Sequence, residues 1–138
     1  MTQLANPEAG PARRYEPPQL CKHPNPVVVV EDDDDIRDTF RDVLEDEGYR
    51  VYTACNGVEA LAILHDLHGG PCLVLLDLMM PIMNGWQFLL ALRKDPELLQ
   101  VPVVILSAAP EENPAAVRVM GKPIDVDTLL DTVRTFCS

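Results

Sequence analysis

Cys72-Leu73-Val74-Leu75-Leu76-Asp77-Leu78-Met79-Met80-Pro81-Ile82-Met83-Asn84-Gly85 changes character at its middle. The residues before Asp77 are apolar without interruption, the pattern of a strand covered on both faces. Pro81, Asn84 and Gly85 then mark a loop. A carboxylate placed against a buried strand is costly unless it has partners. Asp77 therefore asks for a role.

Working outward, the same alternation repeats. Trp86 to Lys94 reads as a helix with Phe88, Leu89 and Leu92 facing inward and Pro96 just beyond. Upstream, Val58 to His68 reads as a helix ended by Gly69-Gly70-Pro71, and Arg50 to Cys55 as a strand. Before these, Val27 to Val30 is a continuous β-branched run. A helix follows it, with Ile36, Phe40, Val43 and Leu44 on one face and Gly48 as its stop. Downstream, Val103 to Leu106 and Val117 to Met120 are strands. Asp125 caps a last helix carrying Val126, Leu129, Leu130 and Val133 at helical spacing. Strands alternating with helices imply parallel βαβ units and a doubly wound α/β sheet. Ligands in such sheets bind beyond the carboxyl ends of the strands.

The polar residues at those ends form a coherent set. The first strand runs into Glu31-Asp32-Asp33-Asp34-Asp35, the third into Asp77, the fourth into Ser107 and the fifth into Lys122-Pro123. Neighbouring carboxylates repel, and a hard cation such as Mg²⁺ relieves the repulsion through oxygen ligands. An aspartate can accept a phosphoryl group as an acyl phosphate. The charge on the phosphoryl oxygens then needs cations and donors, which Lys122, the metal and the Ser107 hydroxyl supply. Asp33, Asp34 and Asp35 fit a solvated helix N-terminus, where carboxylates favour the dipole.

Four ordered stretches resemble the response-regulator receiver family: Val-Val-Val-Val-Glu31-Asp32-Asp33, Leu-Leu-Asp77-Leu-Met-Met-Pro81-Ile-Met-Asn-Gly85, Val-Ile-Leu-Ser107-Ala108 and Gly-Lys122-Pro123. The resemblance implies a flavodoxin-like, five-stranded parallel sheet in the order 2-1-3-4-5. It implies that Asp77 is the phosphoacceptor, that Asp32 and Asp77 are Mg²⁺ ligands, and that Glu31 holds metal-bound water. Met79 would lend a backbone carbonyl to the metal. Ser107 would be the switch hydroxyl and Lys122 the phosphate-pairing lysine, followed by a proline whose peptide bond is often cis. Gly85 matches a glycine that tightens the loop, where a backbone with φ > 0 would be allowed. The implied partners are a sensor histidine kinase or phosphotransfer protein and a downstream protein. Such a domain catalyses only its own phosphorylation and dephosphorylation, so no enzyme acting on other substrates is expected.

Two features depart from the pattern. The interval from Ser107 to Lys122 is short for a helix and two loops, and it holds Pro110 and Pro114. The family's fourth helix is expected to be short or absent. Val119 stands where the family usually carries an aromatic switch residue, three positions before the lysine. These changes motivate an alternative reading, a receiver-like interaction module that works without phosphorylation. A phosphohydrolase with an aspartyl nucleophile fits less well, since its DxD pair follows the first strand and Glu31 stands first here. A phosphate-cradling nucleotide fold fits least, because the first loop has acids where glycines are needed.

Composition narrows the rest. The 138 residues fit one domain. Residues 1–25 hold five prolines and few large apolar side chains, the composition of a disordered tail, leaving 26–138 as the receiver domain. A net charge of −11 disfavours direct nucleic-acid binding. No apolar run approaches membrane-spanning length. Cys21, Cys55, Cys72 and Cys137 lack a CxxC pair and read as free thiols of a cytoplasmic protein. The residues after Lys122 suffice for one helix, so a stand-alone receiver without an output module is expected. His65 and His68 lie one turn apart near Cys72 but show no third or fourth metal ligand, and read as exposed helix histidines. Trp86 reads as packing, and Met79, Met80 and Met83 as a soft rim near the site.

Overall fold

The computed structural model describes residues 25–68, 70–80, 82–108, 116 and 118–137. The elements in chain order are β1 (Val27–Val30), α1 (Asp34–Asp46), β2 (Val51–Ala54), α2 (Gly57–Asp66), β3 (Leu73–Asp77), α3 (Gly85–Lys94), β4 (Val103–Ser107), β5 (Arg118–Gly121) and α4 (Val126–Cys137). All strand pairs are parallel, and the sheet order is β2-β1-β3-β4-β5.

The uninterrupted apolar strands are explained by what covers them. In β1, Val28 and Val30 join the core formed with α2 and α3, while Val27 and Val29 join the core formed with α1 and α4. β3 splits the same way, with Val74 and Leu76 on one face and Leu73 and Leu75 on the other. The three central strands are therefore buried on both sides and need no polar residues. Two helices per face hold it: Phe40 and Leu44 from α1 and Leu129 and Val133 from α4 on one, Leu64 from α2 and Phe88 and Leu92 from α3 on the other.

Local signals set the helix ends. Asp33 caps α1 by accepting from Ile36 N, and Gly48 follows the helix with φ 95°, a conformation that glycine adopts without steric cost. Asn56 caps α2, and Asn84 forms a reciprocal box with Gln87 on α3. Asp125 accepts from Thr128 N at the head of α4.

Among the described residues, no helix lies between β4 and β5. Pro110, Pro114 and most of that connection, Gly69, Pro81 and the tail before Asn25 lie outside the described residues. Among the described residues, no helix is long and apolar enough to cross a membrane.

The thiol expectation needs correction. Cys72 and Cys137 form a disulfide, with Cα atoms 5.3 Å apart, and Cys55 remains free. The pairing is a product of topology. Cys72 precedes β3 at the edge where the strands begin, and α4 runs back to that edge against the same face. Sequence spacing carries no trace of it.

Candidate functional site

Register brings the strand-end residues together. Val30 pairs with Leu76 across β1 and β3, so Glu31 and Asp77 emerge side by side. Asp77 pairs with Leu106, and Ser107 with Gly121. Lys122 then follows, and its backbone N–H donates to Ser107 O at 2.8 Å. β1 lies between β2 and β3, so the chain winds away from it in opposite directions. The resulting crevice at the carboxyl ends is where such sheets bind ligands.

Two of the three acids there are buried. Glu31 and Asp77 are 1% and 3% exposed, while Asp32 is open to solvent. Their carboxylate oxygens and that of Asp32 lie within 4.8 Å of one another. Lys122 Nζ donates to Asp77 Oδ1 at 3.1 Å and to Glu31 Oε1 at 3.4 Å. Asp77 Oδ1 also accepts from Met79 N at 3.2 Å, and Glu31 Oε2 accepts from Asp33 N at 3.2 Å. Arg37 donates to the Glu31 carbonyl and pairs with Asp34, fixing the turn that leads into α1.

One ammonium between two buried carboxylates leaves a surplus of negative charge. Burial, aided by the nearby Asp77 charge, pushes the Glu31 carboxyl up to about 7, against a lowering by the Asp33 N–H. Burial works against the Lys122 charge too, but the hydrogen bond to Asp77 and the charge of Glu31 hold it above its ordinary value. Three converging carboxylates with a charge surplus fit a hard divalent cation, whose preferred donors are oxygens. Glu31, Asp32 and Asp77 are the residues that could hold it.

The remaining residues fall around this cluster. Ser107 is buried at the end of β4. The Met79 side chain points to solvent at 78% exposure, leaving only its backbone near Asp77. Lys122-Pro123 is cis, as the resemblance implies.

Gly85 plays a different part from the one expected. It is the first residue of α3 and not a left-handed position. A Cβ there would sit 2.6 Å from Leu78 Cα and 3.0 Å from Asp77 O. The glycine lets the helix start press against the end of β3, and its N–H donates to Leu78 O at 3.0 Å. The positive φ in this loop belongs to Ile82, at 68°, which nothing in the sequence marks.

Sequence reasoning also missed a cleft of about 470 Å³ beside the cluster. It lies between α1 and the segment that leads from β5 into α4, lined by Asp35, Ile36, Thr39, Phe40, Lys122, Pro123 and Ile124. Ile36, assigned to the inner face of α1, is 36% exposed because it lines this cleft.

Comparison with known proteins agrees with the geometry. Residues 27–134 match the family model described as a response regulator receiver domain. The polar-differentiation response regulator DivK of Brucella anthropi is 31% identical over 120 residues, covering 82% of this chain and 96% of DivK. A segment of the sensor histidine kinase TmoS of Ectopseudomonas mendocina is 37% identical over 98 residues. That match takes in 71% of this chain but only 10% of TmoS. Among solved structures, the response regulator TrrA of Thermotoga maritima, in complex with Mg²⁺ and BeF, superposes with a TM-score of 0.70 at 29% identity. The match covers 81% of this chain and 98% of TrrA. With its sheet order, its strand-end acids and a family match over most of its length, this chain belongs to the response regulator receiver domain family of two-component signalling.

Proposed function

We propose that this chain is a phosphoacceptor switch in which Asp77 takes a phosphoryl group from a sensor histidine kinase or phosphotransfer protein. The observation that carries the reading is the Lys122 ammonium 3.1 Å from a buried Asp77. An Asp77 carboxylate oxygen bonds to phosphorus as the P–N bond to the donor imidazole breaks, and the leaving imidazole takes up a proton. Lys122 is already placed to follow the charge onto the phosphoryl oxygens. The Ser107 hydroxyl, at the end of the adjacent strand, is the donor for another of those oxygens. Asp32, Asp77 and the Met79 carbonyl would hold Mg²⁺, with Glu31 holding metal-bound water. The ion would supply neutralisation of the charge that develops on the transferred group.

Two features support transfer from another protein. The cleft between α1 and Pro123-Ile124 opens beside Lys122 and is walled by Ile36, Phe40, Pro123 and Ile124, a surface suited to an apolar side chain of a docked donor. Met79, Ile82 and Trp86, all more than half exposed, flank the other side of the acceptor loop. These residues fit signalling through protein contacts, and an acidic surface disfavours a direct nucleic-acid partner. The test is incubation with acetyl phosphate and Mg²⁺, followed by intact mass. Wild type should gain one phosphoryl group and Asp77→Asn none. Equal labelling of the variant would place the nucleophile elsewhere, and no labelling of wild type would favour a module that works without phosphorylation.

A further inference from the structure

The turn between β1 and α1 carries Asp32, and the groups on either side of that residue are tied down. Glu31 N donates to Ala54 O at 3.0 Å, so the chain leaves β1 still held to β2. Asp33 N donates to Glu31 Oε2 at 3.2 Å, and Asp33 Oδ1 accepts from Ile36 N at 3.0 Å. The Glu31 carbonyl, one residue past the end of β1, accepts from Arg37 Nη1 at 3.0 Å. Arg37 Nη2 pairs with Asp34, and Arg37 N donates to Asp33 O at 2.9 Å. One side chain near the start of α1 therefore links the residue before Asp32 to the second residue after it. The Asp32 side chain is exposed and takes part in no hydrogen bond or ion pair among the described residues.

We propose that Arg37 is a positioning residue for the Mg²⁺ site: by holding the Glu31 carbonyl and Asp34 together, it aims the Asp32 carboxylate at the ion. The proposal rests on the phosphoacceptor reading only in taking Mg²⁺ as the ion that Asp32 and Asp77 would hold. Glu31 is 1% exposed, and a buried carbonyl without a donor is costly. Without Arg37 the turn has to move until Glu31 O meets another donor or water, and Asp32 moves with it. The guanidinium suits the task because its rigid, planar fork serves the carbonyl and the carboxylate at once, which an ammonium does not. The Arg37 side chain is only 16% exposed, so its bond to the carbonyl is shielded from competing water.

Charge alone would give Arg37 the opposite effect. A cation beside an acidic metal pocket repels a second cation, and its removal should tighten Mg²⁺ binding. Asp34, paired with the guanidinium, offsets that repulsion and leaves the aim of Asp32 as the larger contribution. The sign of the change in Mg²⁺ affinity therefore separates positioning from electrostatics.

The test is Mg²⁺ titration of the full chain followed by Trp86 fluorescence. Acetyl phosphate labelling rates are measured across the same Mg²⁺ range, and thermal melts are run in chelator. Arg37→Ala should bind Mg²⁺ about tenfold more weakly, the lower end of what loss of an orienting partner costs. Half-maximal labelling should need correspondingly more Mg²⁺, while the rate at saturating Mg²⁺ stays close to that of wild type. Arg37→Lys keeps the charge but cannot serve both partners at once, so its affinity should fall between those of wild type and Arg37→Ala. It carries the test if Arg37→Ala fails to fold, and wild-type affinity in the lysine variant then overturns the proposal. Arg41→Ala removes an equal charge from the same helix, where Arg41 pairs with Asp38 and Asp42, and should not weaken Mg²⁺ binding. Unchanged or tighter Mg²⁺ binding in folded Arg37→Ala overturns the proposal. So does a lower melting temperature with no loss of affinity, the mark of a merely structural role. Labelling of wild type with Mg²⁺ affinity independent of Arg37 would sink this proposal and leave the phosphoacceptor reading intact. Mg²⁺ affinity that depends on Arg37, without any labelling, would do the reverse.

Discussion

Lys122 Nζ lies 3.1 Å from Asp77 Oδ1, though the two residues are 45 positions apart, one ending β3 and the other following β5, strands that do not touch. β4 separates them in the sheet, and the lysine reaches over its end. Lys122→Ala therefore removes the one cation contacting both buried carboxylates among the described hydrogen bonds. Phosphorylation by acetyl phosphate should slow at least tenfold, since no ammonium then meets the phosphoryl oxygens. Mg²⁺ affinity should be unchanged or tighter, because a competing cation is gone. Fluorescence titration of Trp86, the chain's single tryptophan, reads the metal. Weaker Mg²⁺ binding in Lys122→Ala would contradict this account.

Glu31 makes the metal-free protein sensitive to pH. Its carboxyl is raised from an ordinary 4.5 to about 7, mainly by burial. The folded state thus holds this proton more tightly than the unfolded chain does. The contribution to stability is fully present below pH 4.5 and is lost as pH rises through 7. Urea denaturation in chelator should show wild type losing stability across that window. Glu31→Gln should lose less, so that its advantage over wild type is larger at pH 8 than at pH 5. Equal advantages at both values would show that Glu31 does not titrate as described.

Gly85 and Gly57 offer a paired test of backbone crowding. A Cβ at Gly85 meets Leu78 Cα at 2.6 Å and Asp77 O at 3.0 Å, backbone atoms at and just after the end of β3. A Cβ at Gly57 meets the Met83 side chain at 2.7–3.0 Å, which is unbranched and can move. Gly85→Ala should cost roughly 1–3 kcal/mol, as overpacking does, and should also slow phosphorylation by displacing Asp77. Gly57→Ala should cost less than about 1 kcal/mol and leave phosphorylation intact. Chemical denaturation with rate measurements on both variants checks the contrast, and equal costs would contradict it.

Much of this was legible because the three central strands are unbroken apolar runs. Val27–Val30, Leu73–Leu76 and Val103–Leu106 alternate between two buried faces, and the first polar residue after each of them marks a candidate for the site. What stayed hidden depends on where elements return. Cys72 meets Cys137, and His65 meets Asp95 and Glu97, only because helices run back to the edge where strands begin. The cleft at Ile36 needs Pro123 and Ile124 beside α1, a relation carried by sheet order rather than by spacing. Gly85 was singled out for the right position and the wrong reason, since a sequence reports a missing Cβ without saying whether conformation or crowding requires it.

The last prediction concerns how phosphorylation is read out. A ligand shifts a population only through contacts that differ between the two states. In the family, as the resemblance implies, the hydroxyl residue moves inward and a fifth-strand aromatic fills the space. This chain has Val119 there, partly buried and packed against the core shared with α2 and α3. Its branched side chain is stiff at χ1 and too small to swing as an aromatic does. The face of β5 and α4 is also held fast. Arg118 donates to Thr132 Oγ1 at 3.1 Å and lies 5.7 Å over the Phe136 ring. The element left to respond is the connection that begins at Ser107, whose carbonyl is bonded to Lys122 N at 2.8 Å. Beryllofluoride with Mg²⁺ should therefore move amide resonances most strongly between Ala108 and Ala116, with small changes along α4. Light scattering after size exclusion should show no dimer formed through β5 and α4. A beryllofluoride-induced dimer whose contacts map to Arg118–Gly121 and α4 would show that the face moves despite Val119 and the Arg118 contacts.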